Sequence, residues 1–228
     1  MSAGTGREAT TDMYDLDDTI RRRHSTRMFL PDPVPHHLVE ESLELATRAP
    51  SNSNVRPWHV VFVSGAARDR LVAAMLEQAR SEPPKVPQLP AEFAHLRRDL
   101  GAHVYGAMGI ARDDAEARRV AVLRNWEFFR APLGGVVSTH RDFGLVDSLG
   151  VGMFLQTLVL ALTARGLGAC VQVSIAGYPG IVREQLGIPE ETTILCGLAV
   201  GYSDPDFPGN SLRVGRERVD RHAVFLDE

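Results

Sequence analysis

Five consecutive residues, Arg23-His24-Ser25-Thr26-Arg27, bring together two guanidiniums, an imidazole and two hydroxyls. The whole chain has a formal charge of −4, so this is a local concentration of positive charge. The chemistry it suits is phosphate binding. Arginine stays charged and offers a planar fork of donors that matches phosphate oxygens, and Ser and Thr add neutral donors. A basic helix end facing water reads equally well from these five residues alone, because Arg in a last turn complements the helix dipole.

Two other stretches could join it. Arg213, Arg216 and Arg218 stand in an irregular tail. If that tail returns to the first cluster, Arg23, Arg27, Arg213 and Arg216 meet on one phosphate; otherwise they are surface charges. The segment Pro50-Ser51-Asn52-Ser53-Asn54-Val55-Arg56-Pro57 is dense in hydrogen-bonding groups and stiffened by two prolines. It can read the polar edge of a planar heterocycle, or simply satisfy its own backbone as a turn.

The sequence lacks GxSxG, CxxC, HExxH and the phosphate-binding loop of nucleotide hydrolases. Gly150-Val151-Gly152 has no third glycine and no strand before it, so it is not a dinucleotide fingerprint. The eight histidines are scattered, and no metal site is expected. An enzyme with this inventory takes its chemistry from a bound cofactor.

Composition sets the frame. A chain of 228 residues, 44% hydrophobic, supports one domain with a large core. Residues 1–14 read as a flexible arm and residues 15–228 as a single domain, with a lid-like excursion at about 81–110. The negative charge argues against nucleic acid as a partner. Cys170 and Cys196 sit in apolar runs and read as buried thiols in a reducing compartment. Residues 1–11 lack the apolar centre of a signal peptide. The longest apolar run, 151–164, falls short of the roughly 20 residues that span a bilayer. A cytoplasmic protein without a membrane partner is expected.

Several elements must position these groups. Helices are expected over 16–23, from Pro35 to just before Pro50, from Gly65 through Ala79, over 113–129, over 151–165 and over 178–186. Val120, Leu123, Trp126 and Phe129 should line the buried face of the fourth. Strands are expected over 58–63, 131–138, 169–174 and 193–202, the first of them buried. Residues 81–90 carry four prolines and read as a loop, and 91–109 as partly helical. A sheet covered by helices on both faces follows. The helix over 151–165 is apolar nearly all round, which asks for cover on most sides, in part by a second subunit.

In order and spacing, several motifs resemble the nitroreductase family of FMN-dependent flavoproteins. They are Arg-His-Ser-Thr-Arg-x-Phe, the later Ala-Pro-Ser-x-x-Asn-x-x-Pro-Trp, Asn125 through Pro132, Gln156-Thr157-Leu158, Gly166-Leu167-Gly168, Leu186 through Pro189, Leu198 through Tyr202, and Asn210-x-x-Arg213-x-x-Arg216. The likeness runs from Asp15 to Phe225.

The resemblance implies an α+β fold with a mixed, mainly antiparallel sheet sandwiched by helices, in an interwoven homodimer. Each of two FMN sites would be built from both subunits. Arg23, His24, Ser25 and Arg27 would hold the phosphate and ribityl chain, completed by Arg213 or Arg216. Pro50, Ser51, Asn52 and Asn54 would come from the other subunit. Gln172, Val173 and Ser174 would lie near the reactive flavin edge. Arg56 stands where the family often has Gln; near the flavin's pyrimidine edge it would favour the anionic reduced flavin. Tyr105, Met108 and Phe143 are candidates to line the acceptor pocket, and no catalytic residue is implied. The activity implied is hydride transfer from NADPH or NADH to nitroaromatic or quinone-type acceptors. Other outcomes of the resemblance are a flavin-fragmenting or dehalogenating relative and a flavin-binding protein without turnover.

Overall fold

A computed structural model describes residues 15–226. The arm expected over 1–14 lies outside the described residues. Helix α1 is Leu16–Arg22, capped by the Asp15 carboxylate, which accepts the Asp18 N–H at 2.8 Å. Helix α2 is His36–Ala46, with Pro35 at its N-cap. Strand β1 (His59–Ser64) leads into α3 (Gly65–Ser81). Helices α4 (Ala94–Ala107) and α5 (Ala115–Leu123) follow, then β2 (Leu133–His140) and α6 (Leu145–Ala164). Strand β3 (Gly168–Gln172), α7 (Pro179–Leu186) and β4 (Thr192–Gly201) complete the order.

The sheet has the order β1-β2-β4-β3, and every pair is antiparallel. A parallel contact occurs where Ser25 bridges Ala169. Alternate strand residues feed two separate cores, as the period of two requires. Val63, Val136, Cys170 and Ala199 pack with α3 and α7 on one face. Leu133, Ala169, Leu198 and Val200 pack with α2 and α6 on the other. A bulge sets Val137 opposite Cys196 but Ser138 opposite Ile194, so Leu195 is the extra residue and Ile194 turns to the α3 face.

Four expectations are corrected. β1 is an edge strand, and only Val63 within it is buried, so its apolar run does not mark a central strand. The helix expected over 113–129 stops at Leu123. A 3-10 segment, Arg124–Arg130, takes over and contains Phe128 and Phe129 at φ of 50° and 52°. Both rings are buried, and their packing overrides helical propensity. Val120 is accordingly 42% exposed rather than on a buried face. Helix α6 starts at Leu145, not 151. Its first turn is held by the Gly144 N–H donating to the Asp147 carboxylate at 3.0 Å.

That earlier start makes α6 a 20-residue helix, long and apolar enough by length and composition to cross a membrane. In this fold one side packs on the sheet through Phe154, Leu158 and Leu162. Leu145, Val146, Leu149 and Met153 remain exposed at its N-terminal half.

Candidate functional site

The basic cluster lies as a short extension along the open edge of β3. The Thr26 N–H donates to the Ala169 carbonyl at 3.1 Å beside the Ser25–Ala169 bridge. Gly168 is what allows Thr26 to lie so close. A Cβ at Gly168 would stand 2.6 Å from Thr26 Oγ1. Beyond the cluster, the chain pairs again, Leu30 N–H to the Tyr202 carbonyl at 2.9 Å.

The tail does return. Asn210 is 5% exposed, and its side chain is fully used. Its Oδ1 accepts the Arg27 N–H at 2.7 Å, while Nδ2 donates to the Met28 and Asp204 carbonyls at 2.8 and 2.9 Å. Its own carbonyl accepts Arg213 Nη1 at 2.9 Å. One buried residue thus holds both, Arg27 through its side chain and Arg213 through its backbone carbonyl.

The electrostatics of this corner are those of cations without a counter-charge. None of Arg23, Arg27, Arg213 and Arg216 forms an ion pair among the described residues. Burial lowers the pKa of Arg23, and the Arg216 charge lowers it further. Burial also lowers His24; the Arg22 carbonyl, which its Nδ1 meets at 2.9 Å, pulls the other way, and Arg213, Arg23 and Arg27 add to the lowering. A cavity of about 240 Å³ opens here, lined by Arg23, His24, Thr26, Gly168 and Arg213. The buried Thr26 Oγ1 has no hydrogen-bond partner among the described residues. Clustered guanidiniums, a neutralisable imidazole and an unused hydroxyl form a donor set that fits the phosphate of FMN.

A larger cavity of about 660 Å³ has Arg27, the residue after Thr26, in its wall. Val173 and Ser174 stand on one side, Asn125 and Trp126 behind them, and Tyr105 of α4 with Val122 of α5 opposite. The Trp126 indole N–H donates to the Ser174 carbonyl at 3.3 Å, and Gln172 Nε2 donates to the Asn125 carbonyl at 2.8 Å. Gln172 is buried and its Oε1 lacks a partner among the described residues, so its side chain braces the wall rather than facing the cavity. All residues of α4 are at least partly exposed, and the 3-10 turn of the tail, Pro208–Asn210, lies against this helix.

The segment from Pro50 to Arg56 is elsewhere. Its 3-10 turn, Asn52–Asn54, sits over α6, where a Cβ at Gly150 would come 3.1 Å from Ser51 Cβ. The phosphate corner meets α6 at Thr163. At a rise of about 1.5 Å per residue, these points are about 20 Å apart along one helix. Within one chain, Pro50, Ser51, Asn52, Asn54 and Arg56 do not reach the corner. Ser51 Oγ accepts the Arg56 N–H at 2.9 Å, and Ser53, Asn54 and Arg56 have φ of 47°, 57° and 48°. This held, outward-facing turn stores backbone strain. Phe143 lies at the same end of α6, edge-on to His140 at 6.2 Å, away from the large cavity. Met108 ends α4, its N–H shared between the Val104 and Tyr105 carbonyls, and does not line that cavity either.

Sequence reasoning passed over Asn210 as the brace, and Arg97, Arg98 and Arg118 in the cavity wall. Asn210 had a signal, its fixed spacing to Arg213 and Arg216. The three arginines had none, since a dibasic pair on a polar helix normally faces water.

The sequence model described as the nitroreductase family matches residues 20–202. A 4-nitrobenzoate reductase of Nocardioides sp. (strain LMS-CY) is 36% identical, over 92% of this chain and 90% of the relative. Among solved structures, the FMN-dependent nitroreductase NfnB from Mycobacterium smegmatis in complex with NADPH superposes with a TM-score of 0.86 at 34% identity, covering 93% of this chain and all of that one (100%). The FMN- and NADPH-dependent NfnB of a Sphigopyxis strain gives 0.88 at 30% identity, covering 93% and 99%. The paired α+β fold, the basic corner on the β3 edge and these likenesses together place the chain in the nitroreductase family.

Proposed function

We propose that the chain is an FMN-dependent oxidoreductase that takes hydride from NADPH or NADH and reduces nitroaromatic or quinone-type acceptors. The observation that carries this reading is the unneutralised corner of Arg23, His24, Arg27, Arg213 and Arg216, joined by Asn210 and opening beside a cavity that accepts a flat ring. The names of the relatives, nitrobenzoate reductase and FMN-dependent nitroreductase, point the same way.

When bound, FMN supplies the two-electron chemistry between nicotinamide and acceptor. The chain's own part is binding, orientation and exclusion of water. Arg23, Ser25, Arg27 and Arg213 hold the phosphate and ribityl end, with Arg216 close enough to add charge. Val173 and Ser174 present backbone at the cavity wall, and Tyr105 and Trp126 give it aromatic faces. No side chain is assigned as acid or base. One cavity used in turn by nicotinamide and acceptor gives ping-pong kinetics. The lid is the excursion at 81–110.

The functional unit is a homodimer with two composite sites. The Pro50–Arg56 turn and Phe143, which face away from their own chain's corner, serve the partner's site. The exposed apolar side of α6 supplies the area to bury. Two buried free thiols suit a reducing, cytoplasmic setting.

The test is anaerobic reduction of the FMN-loaded protein by each nicotinamide, followed by mixing with 4-nitrobenzoate or a quinone. The flavin should bleach and then recover its colour. Bound FMN that neither nicotinamide bleaches would leave a flavin-binding protein without turnover.

A further inference from the structure

The large cavity holds more positive charge than FMN can use. Arg97, Arg98 and Arg118 line it, and among the described residues no Asp or Glu does. Some arginines elsewhere in this chain are paired with carboxylates, as Arg21 is with Asp17, Arg119 with Glu116 and Arg165 with Glu41. The three in the cavity wall are not. Arg97 Nη1 donates to the neutral Gln88 Oε1 at 3.1 Å, and Arg118 Nη1 to the Arg112 carbonyl at 2.8 Å. Arg98 has no hydrogen bond or ion pair among the described residues. The Arg118 guanidinium also stacks on Tyr105, 4.8 Å from the ring centroid, which fixes its plane without neutralising it. A second cavity, also lined by Tyr105, shares Arg98 and Arg118 and adds Arg112, against a single carboxylate among the described residues, Asp99.

We infer that Arg98 and Arg118 form an anion-binding subsite that selects aromatic acceptors carrying a carboxylate. The inference rests on the flavoenzyme reading of the same cavity. The ring of such an acceptor lies between Trp126, Tyr105 and Leu100, and its carboxylate is held by the two guanidiniums on α4 and α5. A planar fork of donors suits a carboxylate, and because Arg98 is exposed the attraction is open to screening by salt. The acceptor is favoured over the adenosine 2′-phosphate of NADPH because the arginines share a cavity with Trp126 and Ser174. The adenosine phosphate of a dinucleotide lies a full nucleotide away from the nicotinamide ring.

The experiment titrates benzoate and benzamide into the oxidised FMN-loaded protein by calorimetry, at low and high salt. It then compares turnover of 4-nitrobenzoate with that of its methyl ester, using NADPH and NADH. The wild type should bind benzoate at least about tenfold tighter than benzamide at low salt, a margin that shrinks as salt rises. The double variant Arg98→Gln/Arg118→Gln should cut the acid-to-ester ratio of kcat/KM about tenfold, mainly through KM, and erase the benzoate preference. Equal binding of benzoate and benzamide by the wild type would overturn the inference. So would a variant that loses acid and ester alike, or one that changes only the NADPH-to-NADH ratio, which would give these arginines to the nucleotide. Benzoate binding needs no turnover. A protein that prefers benzoate but reduces no nitro compound therefore contradicts the oxidoreductase reading and leaves the subsite standing.

Discussion

Asn210 Oδ1 accepts the backbone N–H of Arg27 across 183 positions of sequence, at 2.7 Å. That bond joins the first basic segment to the arginine tail. Asn210→Ala should leave the Arg27 N–H and the Asp204 carbonyl without their partner, and the Met28 carbonyl with the Asp204 N–H alone. At about 1–3 kcal/mol for each buried unsatisfied group, partly relieved by water, a loss of about 2–4 kcal/mol is expected on denaturant unfolding. Because the side-chain amide also anchors the Arg27 backbone at the basic corner, FMN binding should weaken more than riboflavin binding does. Equal weakening of both would reduce Asn210 to a purely structural brace.

The lowered pKa of His24 gives a pH dependence with a definite sign. In the unfolded chain the imidazole titrates near the ordinary value of about 6.5. In the folded apoprotein it holds its proton less well, so the unfolded state binds more protons, and stability falls as pH drops from about 6.5 toward the lowered value. FMN phosphate reverses the balance by offering a negative partner. Thermal unfolding between neutral and mildly acidic pH should show the apoprotein losing stability on acidification, less so in His24→Gln. In the FMN-loaded protein this loss should shrink. An identical pH slope in wild type and His24→Gln apoproteins would remove His24 from the account.

Gly197 of β4 lies under Ile175, and an added Cβ would stand 2.9 Å from Ile175 Cβ. Ile175 belongs to the 3-10 turn Val173–Gly177, which carries two residues of the cavity wall. Gly197→Ala should lift that turn and cost about 1–3 kcal/mol by overpacking. Gly106→Ala in α4 has open space around its Cβ and should be neutral or stabilising by up to about 1 kcal/mol. Chemical denaturation of the two variants side by side checks the contrast.

Leu149 is 67% exposed on α6 beside Leu145 and Val146. Leu149→Glu changes no buried contact of a single chain, so the fold should persist. The exposed apolar face is read as the dimer contact, so this variant should run as a monomer by light scattering and lose its FMN. A dimeric, fully loaded Leu149→Glu protein would rule out that face as the contact.

Much of this was legible in the sequence, for physical reasons. The clustering of permanent cations at 23–27 and again at 213–216 needs no structure to be noticed, and neither does the Asn-x-x-Arg-x-x-Arg spacing. Periodicity located α3 and α6 because long amphipathic or apolar stretches leave few alternatives. It failed at residues 124–130. There, Phe128 takes a left-handed backbone so that its ring can lie over Gly134, 3.0 Å from where a Cβ would be. Only the tertiary contact explains that conformation. The start of α6 was hidden because Gly144, Asp147 and Ser148 look like a loop, yet they are the cap. Arg98 and Arg118 were unreadable for another reason. Whether an arginine on a polar helix faces water or a cavity depends on how α4 folds over Trp126.

The most direct measurement is the affinity of the apoprotein for FMN and for riboflavin, which differ by one phosphate, in wild type and in Arg27→Ala. The account predicts that the wild type binds FMN far more tightly than riboflavin, and that Arg27→Ala loses at least about tenfold in FMN affinity while riboflavin affinity changes little. Equal affinity of the wild type for the two flavins would contradict the assignment of the Arg23–Arg27 corner to the cofactor phosphate.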